Sequence, residues 1–343
     1  MIVNLISDTI TKPSFKMLEA MFSAPVGDDV FKEDPSVNKL ERELASLFGK
    51  EAALFFPSGT MTNQTAIKIH TQPGEQIICD HYSHIFNYEG GGVSFNSGVS
   101  CKMISGDRGR ITAEQIMDSI NPPDFYHSPK TSLVCLENTT NKGGGAIYDF
   151  NEIVKIRELC DKKKLGLHLD GARLWNALEV TKESPKQYGE LFDTISLCLS
   201  KGLGCPVGSV LVGSKKNINK ALRIRKVFGG GMRQAGYLAA AGSYALKHHR
   251  SDLNTDHKKA KEIASTLKNC AYVNEINPVE TNIIIFSLKK QYDEVSFVEK
   301  LKNKNILIMS LGKGKLRIVT HRDYTEDQHA YLLKTLPKIE YYA

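Results

Sequence analysis

The sequence predicts an α/β protein, with a three-layer αβα large domain built on a mainly parallel sheet and a small α+β domain after it. From about residue 35 to 245, helical patterns alternate with short apolar runs, which is typical of a parallel sheet covered on both faces. Beyond Leu246 the pattern changes. A chain of 343 residues is also longer than a single hydrophobic core ordinarily supports. We therefore predict a large domain over residues 1–247, including the N-terminal segment, and a small domain over 248–343.

Two helices of the large domain are well marked. Apolar residues follow helical spacing between residues 37 and 47, with Asp34 as the predicted cap, Pro35 as the first helical residue and Gly49 as the stop. A second apolar helical pattern over residues 153–160 leads directly into a strand that ends at Asp170.

The last third of the chain shows the alternation of strands and helices expected of a small α+β domain. The patterns predict a helix around 256–267, a strand over 282–288, a helix near 294–303, and strands over 306–309 and 315–320.

Composition excludes several classes of protein. With 41% hydrophobic and 24% charged residues, the chain has the makeup of a soluble globular protein. No apolar run approaches the roughly 20 residues that span a bilayer. The first eight residues carry no basic segment and no long apolar core, so we predict no secretory signal, no membrane partner and a cytoplasmic location.

Cysteine usage and charge exclude further classes. The seven cysteines are odd in number and scattered, without a C-x-x-C pair or histidines at zinc spacing, so we predict no metal site and no disulfide scaffold. The net charge of +7 would be compatible with a protein that binds nucleic acid. The lysines are dispersed, and the run 162–164 complements a helix dipole. Without a basic stripe and interleaved aromatics, we predict no nucleic-acid partner.

Two strand ends carry the strongest functional signal. Apolar runs end at Asp170 and, thirty-one residues later, at Lys201, each beside glycine. Parallel strands deliver such groups to the sheet edge where ligands bind. Such a pair suits pyridoxal phosphate, because this cofactor needs an amine with which it forms an imine and a carboxylate with which it forms an ion pair. A carboxylate about 4 Å from the pyridine nitrogen stabilises its protonated form by roughly 4 kcal/mol, or about three pKa units. We expect burial to lower the pKa of Lys201. Alternatively, Asp170 is a strand-end carboxylate paired with a nearby cation.

Two segments are candidates for holding a phosphate. Ser58, Gly59 and Thr60 open a predicted helix, whose free N–H groups attract anions, although the same residues also form ordinary caps. Because a helix end contributes only about 0.3 to 1 kcal/mol, a cation should assist it. Lys226 and Arg233 flank three glycines and supply candidates. The alternative is a flexible connector with two solvated cations.

Histidines provide candidate proton carriers. His84 follows a strand and precedes Tyr88, and a neutral imidazole there would stack on a flat ring and accept a proton from a hydroxyl. His127, in a loop with proline and serine, is a second candidate. For both, a packed or exposed loop histidine is the structural alternative.

Together these residues resemble the low-specificity threonine aldolases, fold-type I pyridoxal phosphate enzymes related to the β-eliminating lyases. The resemblance covers nearly the whole chain in collinear order. Its segments are residues 7–9, 26–30, 56–63, 83–89, 168–173, 198–201 and 229–234. One departure is Thr140, where the family frequently has histidine, and this bears on stereochemical preference at the β-carbon rather than on cofactor binding.

The resemblance implies a role for each candidate around the cofactor. Lys201 forms the imine, Asp170 binds the pyridinium nitrogen and His84 stacks on the ring. The phosphate is held by Ser58, Gly59, Thr60 and Ser200, with Lys226 and Arg233 reaching across from a neighbouring subunit. Arg173 lies near both cofactor and substrate. The minimal catalytic unit is then a homodimer, usually paired into a homotetramer.

The resemblance also implies a substrate and a reaction. Ser7, Arg173 and Arg317 hold the substrate carboxylate, whereas His127 and Tyr88 lie near its side-chain hydroxyl. The predicted reaction cleaves a 3-hydroxy amino acid, L-threonine or L-allo-threonine, to glycine and acetaldehyde. A β-eliminating lyase or a racemase would use the same lysine and aspartate. From another class, a non-catalytic basic binding protein on the same scaffold is the remaining alternative.

Overall fold

The computed structural model describes residues 1–339 of the chain, in which a large sheet is followed by a smaller one. The strands are β1 Val3–Asn4, β2 Ala52–Phe56, β3 Gln76–Asp80, β4 Ser100–Ile104, β5 Thr131–Glu137, β6 Gly166–Gly171, β7 Thr194–Cys198, β8 Ser209–Gly213, β9 Val273–Ile276, β10 Ile283–Leu288, β11 Ile306–Leu307, β12 Met309–Gly312 and β13 Lys315–Val319. The α-helices are α1 Phe15–Phe22, α2 Pro35–Leu47, α3 Gly59–His70, α4 His84–Asn87, α5 Gly92–Ser97, α6 Ala113–Ser119, α7 Phe150–Lys163, α8 Leu174–Val180, α9 Pro185–Leu191, α10 Lys215–Val227, α11 Gly236–His248, α12 Leu253–Lys268, α13 Glu294–Lys302 and α14 Glu326–Thr335.

The large sheet has seven strands in the order β2-β8-β7-β6-β5-β3-β4. All neighbouring pairs are parallel except those that β8 makes with β2 and β7. The central strands are almost entirely buried, because helices cover both faces of the sheet. The prediction of a three-layer large domain with a mainly parallel sheet is therefore confirmed.

Helix α2 begins and ends as its sequence predicts. Asp34 caps it, since one carboxylate oxygen accepts the N–H groups of Ser36 and Val37 at 3.0 Å each. Pro35 occupies the first turn, where its missing N–H costs nothing. Gly49 follows with a φ of +61°, the left-handed conformation that stops a helix at low cost.

The C-terminal region forms a four-stranded antiparallel sheet in the order β12-β13-β10-β9, with α12, α13 and α14 packed on it. This confirms the predicted small α+β region. The single strand predicted over 306–309 is wrong, because the chain divides there. Ile306–Leu307 pairs in parallel with Val3–Asn4, whereas Met309–Gly312 joins the antiparallel sheet.

The N-terminal segment links the two regions. Val3 and Leu5 are fully buried in the apolar cluster of the C-terminal sheet. A few residues on, the Thr11 hydroxyl donates to the carbonyl of Lys201 at 2.7 Å, beside the large sheet. The division at residue 247 stays a prediction, and residues 340–343 of that C-terminal part lie outside the described residues. Within residues 1–339 no helix has the length and apolarity needed to cross a membrane.

Candidate active site

A cavity of about 580 Å³ opens at the carboxyl ends of β6 and β7, between the large sheet and the C-terminal sheet. The structure brings eleven of the predicted site residues to its wall. They are Ser7, Ser58, Gly59, Thr60, His84, Tyr88, Asp170, Arg173, Ser200, Lys201 and Arg317. Three predicted residues, His127, Lys226 and Arg233, are not part of this wall.

Asp170 is the second-last residue of β6, and its side chain is almost completely buried. Its Oδ2 accepts a hydrogen bond from Asn63 Nδ2 at 3.0 Å, and its Oδ1 accepts the N–H of Ala172 at 3.1 Å. In the register of the sheet Asp170 lies opposite Ser196 of β7, the strand that leads to Lys201. Two neighbouring strands therefore present the carboxylate and the amine to one cavity, as the sequence indicates.

Lys201 follows β7 in a tight turn. Its carbonyl accepts the N–H of Gly204, whose φ of +77° is costly for other residues. We predicted that burial would lower the pKa of the Lys201 amine, and this prediction is wrong. Burial does act in that direction, but the Cys198 sulfur and the carboxylates of Asp8 and Asp170 outweigh it and raise the pKa of the amine.

Arg173 makes a buried ion pair that sequence analysis missed. Its Nε and Nη2 donate to the two carboxylate oxygens of Asp8 at 2.8 and 2.7 Å. Burial opposes ionisation of Asp8, yet the guanidinium lowers its pKa to about 2. Asn282 also donates to Asp8, at 3.3 Å. The only sequence signal was the position of Asp8 inside the opening segment 7–9, where the neighbouring Ser7 was assigned a role instead.

Arg317 on β13 has a different environment. It is 6% exposed, and it donates to the Oδ1 of Asn141 at 2.9 Å and to the carbonyl of Ile6 at 3.1 Å. No carboxylate of residues 1–339 forms an ion pair with it. Burial and the charge of Arg173 lower its pKa. Its positive charge is therefore left for an anion that enters the cavity.

His84 begins α4 and is oriented by a buried carboxylate. Its Nδ1 lies 2.9 Å from Oε1 of Glu89, which also accepts from Asn63 at 2.9 Å. The other oxygen of Glu89 accepts from Gln64 at 2.6 Å. Burial lowers the pKa of His84, but Glu89 and Asp170 outweigh it and raise the pKa above its ordinary value. This imidazole is thus more readily protonated than the neutral ring that we expected from the sequence.

Glu137, at the end of β5, is a second buried carboxylate on the cavity wall. It accepts the N–H groups of His84 and Asn141 at 2.8 Å each. Burial and the charge of Asp170 raise its pKa to about 7. Sequence analysis did not assign it a role, because a strand-end glutamate carries no signal without its spatial neighbours.

A polar chain behind Asp170 connects these groups. Asn63 donates to Asp170, while its Oδ1 lies 3.2 Å from Nε2 of His168. The other ring nitrogen of His168 lies 2.9 Å from the Thr194 hydroxyl. Burial lowers the pKa of His168 to about 4, so its ring is neutral at neutral pH. The carboxylate of Asp170 is thereby held in one orientation.

The far end of the cavity has the features of an anion site. Ser58 caps α3 by accepting the N–H of Met61 at 3.2 Å, as predicted. Gly59 and Thr60 begin this helix, and a Cβ added at Gly59 would meet no atom within 4 Å. Ser200 lines the same cavity. Free N–H groups in open space at the start of a twelve-residue helix suit a phosphate.

The predicted cations of this end lie elsewhere on the chain. Lys226 is exposed at the end of α10, and Arg233 is exposed and paired with Asp28 at 2.8 Å. Neither lines the cavity of its own chain. Their predicted contribution from a neighbouring subunit stays a prediction.

The three remaining residues that the sequence singled out lie in different surroundings. Tyr88 lines the cavity, and its ring lies under the ammonium of Lys142, 5.3 Å from the ring centroid. His127 is not brought there, because its loop leaves the imidazole exposed, with its ring tilted by 32° against that of Tyr126 and the two centroids 4.0 Å apart. Thr140 is buried in a turn, where its hydroxyl donates to the carbonyl of Arg108 at 2.8 Å.

Three of the wall residues, His84, Glu89 and Asp170, have potential ligand atoms within 4.8 Å of one another. Each of these groups already makes hydrogen bonds with other protein groups, and Asn63 bridges the two carboxylates. We therefore assign this cluster to hydrogen bonding. The predicted absence of a metal site stays a prediction.

Comparison with known proteins agrees with this geometry. The family model described as Beta-eliminating lyase matches residues 4–291. The chain is 40% identical to a probable low-specificity L-threonine aldolase 2 from Arabidopsis thaliana, covering 98% of this chain and 97% of that protein. It is 38% identical to the low specificity L-threonine aldolase of Escherichia coli K12, covering 96% of each.

Among solved structures, the threonine aldolase of Leishmania major superposes with a TM-score of 0.85 at 21% identity, covering 98% of this chain and 99% of that one. At this identity the similarity establishes the fold, and it confirms the fold-type I architecture. The chain therefore belongs to the β-eliminating lyase family, within the group that contains the low-specificity L-threonine aldolases.

Proposed function

We propose that this protein is a carbon-carbon lyase that uses pyridoxal 5'-phosphate to cleave L-threonine or L-allo-threonine into glycine and acetaldehyde. The observation that carries the proposal is the meeting of Asp170 and Lys201 in one cavity, at the ends of neighbouring parallel strands. The names of the relatives supply the substrate class.

The residues on the wall fit pyridoxal phosphate at each of its ends. A buried carboxylate, Asp170, suits a protonated ring nitrogen, while Lys201 offers the amine for covalent attachment. The helix start at Gly59 and Thr60, with Ser58 and Ser200, suits the phosphate. When bound, the cofactor supplies an aldehyde for the amino group of the substrate and a ring that accepts the electrons of the breaking bond.

The chain's own residues orient the substrate. Arg317 and the Asp8-bound Arg173, together with Ser7, would hold its carboxylate, because these two guanidinium groups and this hydroxyl line the same cavity. Fixing the carboxylate and the amino nitrogen also fixes the direction of the Cα–Cβ bond. Such positioning supplies a large part of catalysis in general.

His84 would move the proton. Its Nδ1 is held by Glu89, so Nε2 is free to take the proton of the 3-hydroxyl group as the Cα–Cβ bond breaks. The raised pKa of His84 suits a group that must hold that proton afterwards. A proton returned to Cα completes glycine, and the hydroxyl-bearing carbon leaves as the aldehyde. His127 has no part in this proposal, because it is exposed and does not line the cavity.

Product analysis tests the reaction. The holoenzyme is incubated separately with L-threonine, L-allo-threonine, L-serine and L-cysteine. We expect glycine and acetaldehyde from the threonines. Pyruvate or sulfide without acetaldehyde would instead identify a β-eliminating lyase, and loss of optical activity without cleavage would identify a racemase.

A second experiment tests the attachment residue. Reduction of the holoenzyme with borohydride should fix pyridoxal phosphate to a peptide that contains Lys201. The Lys201→Ala variant should lose this label, whereas Lys216→Ala, an exposed lysine on α10, should keep it. A labelled Lys201→Ala protein would contradict the assignment.

We also propose a homodimer, paired into a homotetramer, in which Lys226 and Arg233 complete the phosphate site of the neighbouring subunit. Exposed apolar side chains nearby support a contact surface, since Val227 is 74% and Phe31 69% exposed. Mixing Lys201→Ala with Arg233→Ala subunits should restore activity that neither variant has alone. If the mixture stays inactive although sedimentation shows mixed dimers, the sharing of sites is wrong.

The cellular setting is part of the proposal. We infer a cytoplasmic location, which the free thiols of all seven cysteines support, because reducing compartments keep thiols unpaired. We propose no nucleic-acid partner, in keeping with the dispersed lysines. Fractionation of cells and a salt titration of binding to DNA check these two statements.

A further inference from the structure

Apart from Lys201, which the proposed function assigns to the cofactor, two cations on the cavity wall have no ion-pair partner among residues 1–339, namely Arg317 and Lys142. Arg173 differs, because Asp8 neutralises it. Under the proposed function, Arg317 and Arg173 take the carboxylate common to every amino acid. The charge of Lys142 is then left without an anion.

The ammonium of Lys142 is held at a defined place. It lies 5.3 Å from the centroid of the Tyr88 ring, and both residues line the cavity. A cation over an aromatic face is attracted to it without being neutralised. Lys142 is also half-buried, so part of its hydration is already lost. A ligand anion here would therefore gain more than it would at an exposed lysine.

The backbone beneath Lys142 is fixed by its neighbours. Asn141 donates its N–H to Glu137 at 2.8 Å and accepts from Arg317 at 2.9 Å. Gly145 donates its N–H to the carbonyl of Thr140 at 2.9 Å and closes the turn. Lys142 thus follows directly the residue that Arg317 contacts, and the two unpaired cations lie on the same wall.

Resting on the proposed function, we infer that Lys142 is a specificity residue for substrates with a second acid group. The matching class is 3-hydroxy amino acids that carry a carboxylate on the hydroxyl-bearing carbon, of which 3-hydroxyaspartate is the simplest. The methyl group of threonine makes no use of a cation at this position. Lysine suits the task because its ammonium is a compact charge on a flexible stem.

The chemistry of this cleavage balances without an added reactant. The Cα–Cβ bond breaks, the 3-hydroxyl group loses its proton and becomes the carbonyl of an aldehyde, and Cα gains one proton. The products are glycine and glyoxylate. No oxidant or reductant is consumed.

The test compares two substrates on the holoenzyme. We measure kcat/KM for L-threonine and for the two diastereomers of L-3-hydroxyaspartate, following glyoxylate release. Lys142→Met should lower the ratio of hydroxyaspartate to threonine kcat/KM by about tenfold, the usual worth of a charge-assisted contact. Lys142→Arg should keep most of the ratio. Lys163→Met, an exposed lysine at the end of α7, is the matched control and should leave it unchanged.

The dependence of the ratio on salt concentration provides a second measurement. Raising the ionic strength should lower the wild-type ratio and leave that of Lys142→Met nearly constant, because only the former contains an ion pair. The inference is overturned if wild-type protein cleaves threonine but releases no glyoxylate, or if Lys142→Met and Lys142→Arg reduce both substrates equally. Failure to obtain glycine from any of these substrates would instead overturn the proposed function.

Discussion

Two parts of the cavity wall differ in whether their charged side chains are paired within the protein. Around Asp170, protein groups satisfy each other, because Asn63 donates to both Asp170 and Glu89, and Glu89 in turn holds His84. On the wall that faces the substrate, Arg317 has only uncharged partners. The fold itself therefore satisfies the charges around Asp170, whereas the charge of Arg317 is left for the ligand to satisfy.

The largest effect is expected around Asp170. Asp170→Asn removes the carboxylate that would stabilise a protonated ring nitrogen by roughly 4 kcal/mol, so kcat/KM for L-threonine should fall about a thousandfold. Steady-state kinetics with saturating cofactor measure this. The exposed Asp161→Asn is the control. A loss below tenfold would mean that Asp170 does not bind the ring nitrogen.

The next largest effect is expected at the substrate wall. Arg317→Gln removes an unpaired cation, and KM for L-threonine should rise by about 10- to 100-fold, as for a lost charge-assisted hydrogen bond. Binding of pyridoxal phosphate, measured by fluorescence titration, should change little. Equal weakening of cofactor and substrate would show that Arg317 does not serve the substrate alone.

Asp8 gives Arg173 the carboxylate partner that Arg317 lacks. The pKa of Asp8 is lowered to about 2, so its contribution to stability is present above its ordinary pKa near 4 and is lost as pH falls towards 2. Asp8→Asn should lower the free energy of unfolding by about 2 kcal/mol at pH 7. Urea unfolding at pH 7 and at pH 3 checks this. A difference that does not shrink at pH 3 would contradict the ion-pair explanation, and the exposed Asp118→Asn is the control.

The smallest effect concerns the orientation of His84. Glu89→Gln removes a carboxylate that raises the pKa of His84, so kcat should fall by about tenfold and the acidic limb of its pH profile should move to lower pH. The limb moves in that direction because a base with a lower pKa stays unprotonated down to a lower pH. If kcat falls but the limb does not move, Glu89 has only a structural role. Glu114→Gln, exposed on α6, is the control.

The amino-acid sequence alone predicted the strand that contains Asp170, the strand that precedes Lys201, the capped helices after Asp34 and Ser58, and the change to an α+β pattern after Leu246. These are local signals, since apolar periodicity and capping side chains act within a few residues. They were sufficient to predict the sheet edge at which the cavity lies.

The charge state of the site follows from contacts between distant segments, which the folded structure alone shows. Asp8 and Arg173 are far apart along the chain, as are Asn63 and Asp170, so no local pattern indicates their contacts. The pKa of Lys201 depends on groups from three segments, and the outcome reversed the expectation from burial alone. Electrostatic energies depend on distance and burial in space, and the folded chain alone specifies both.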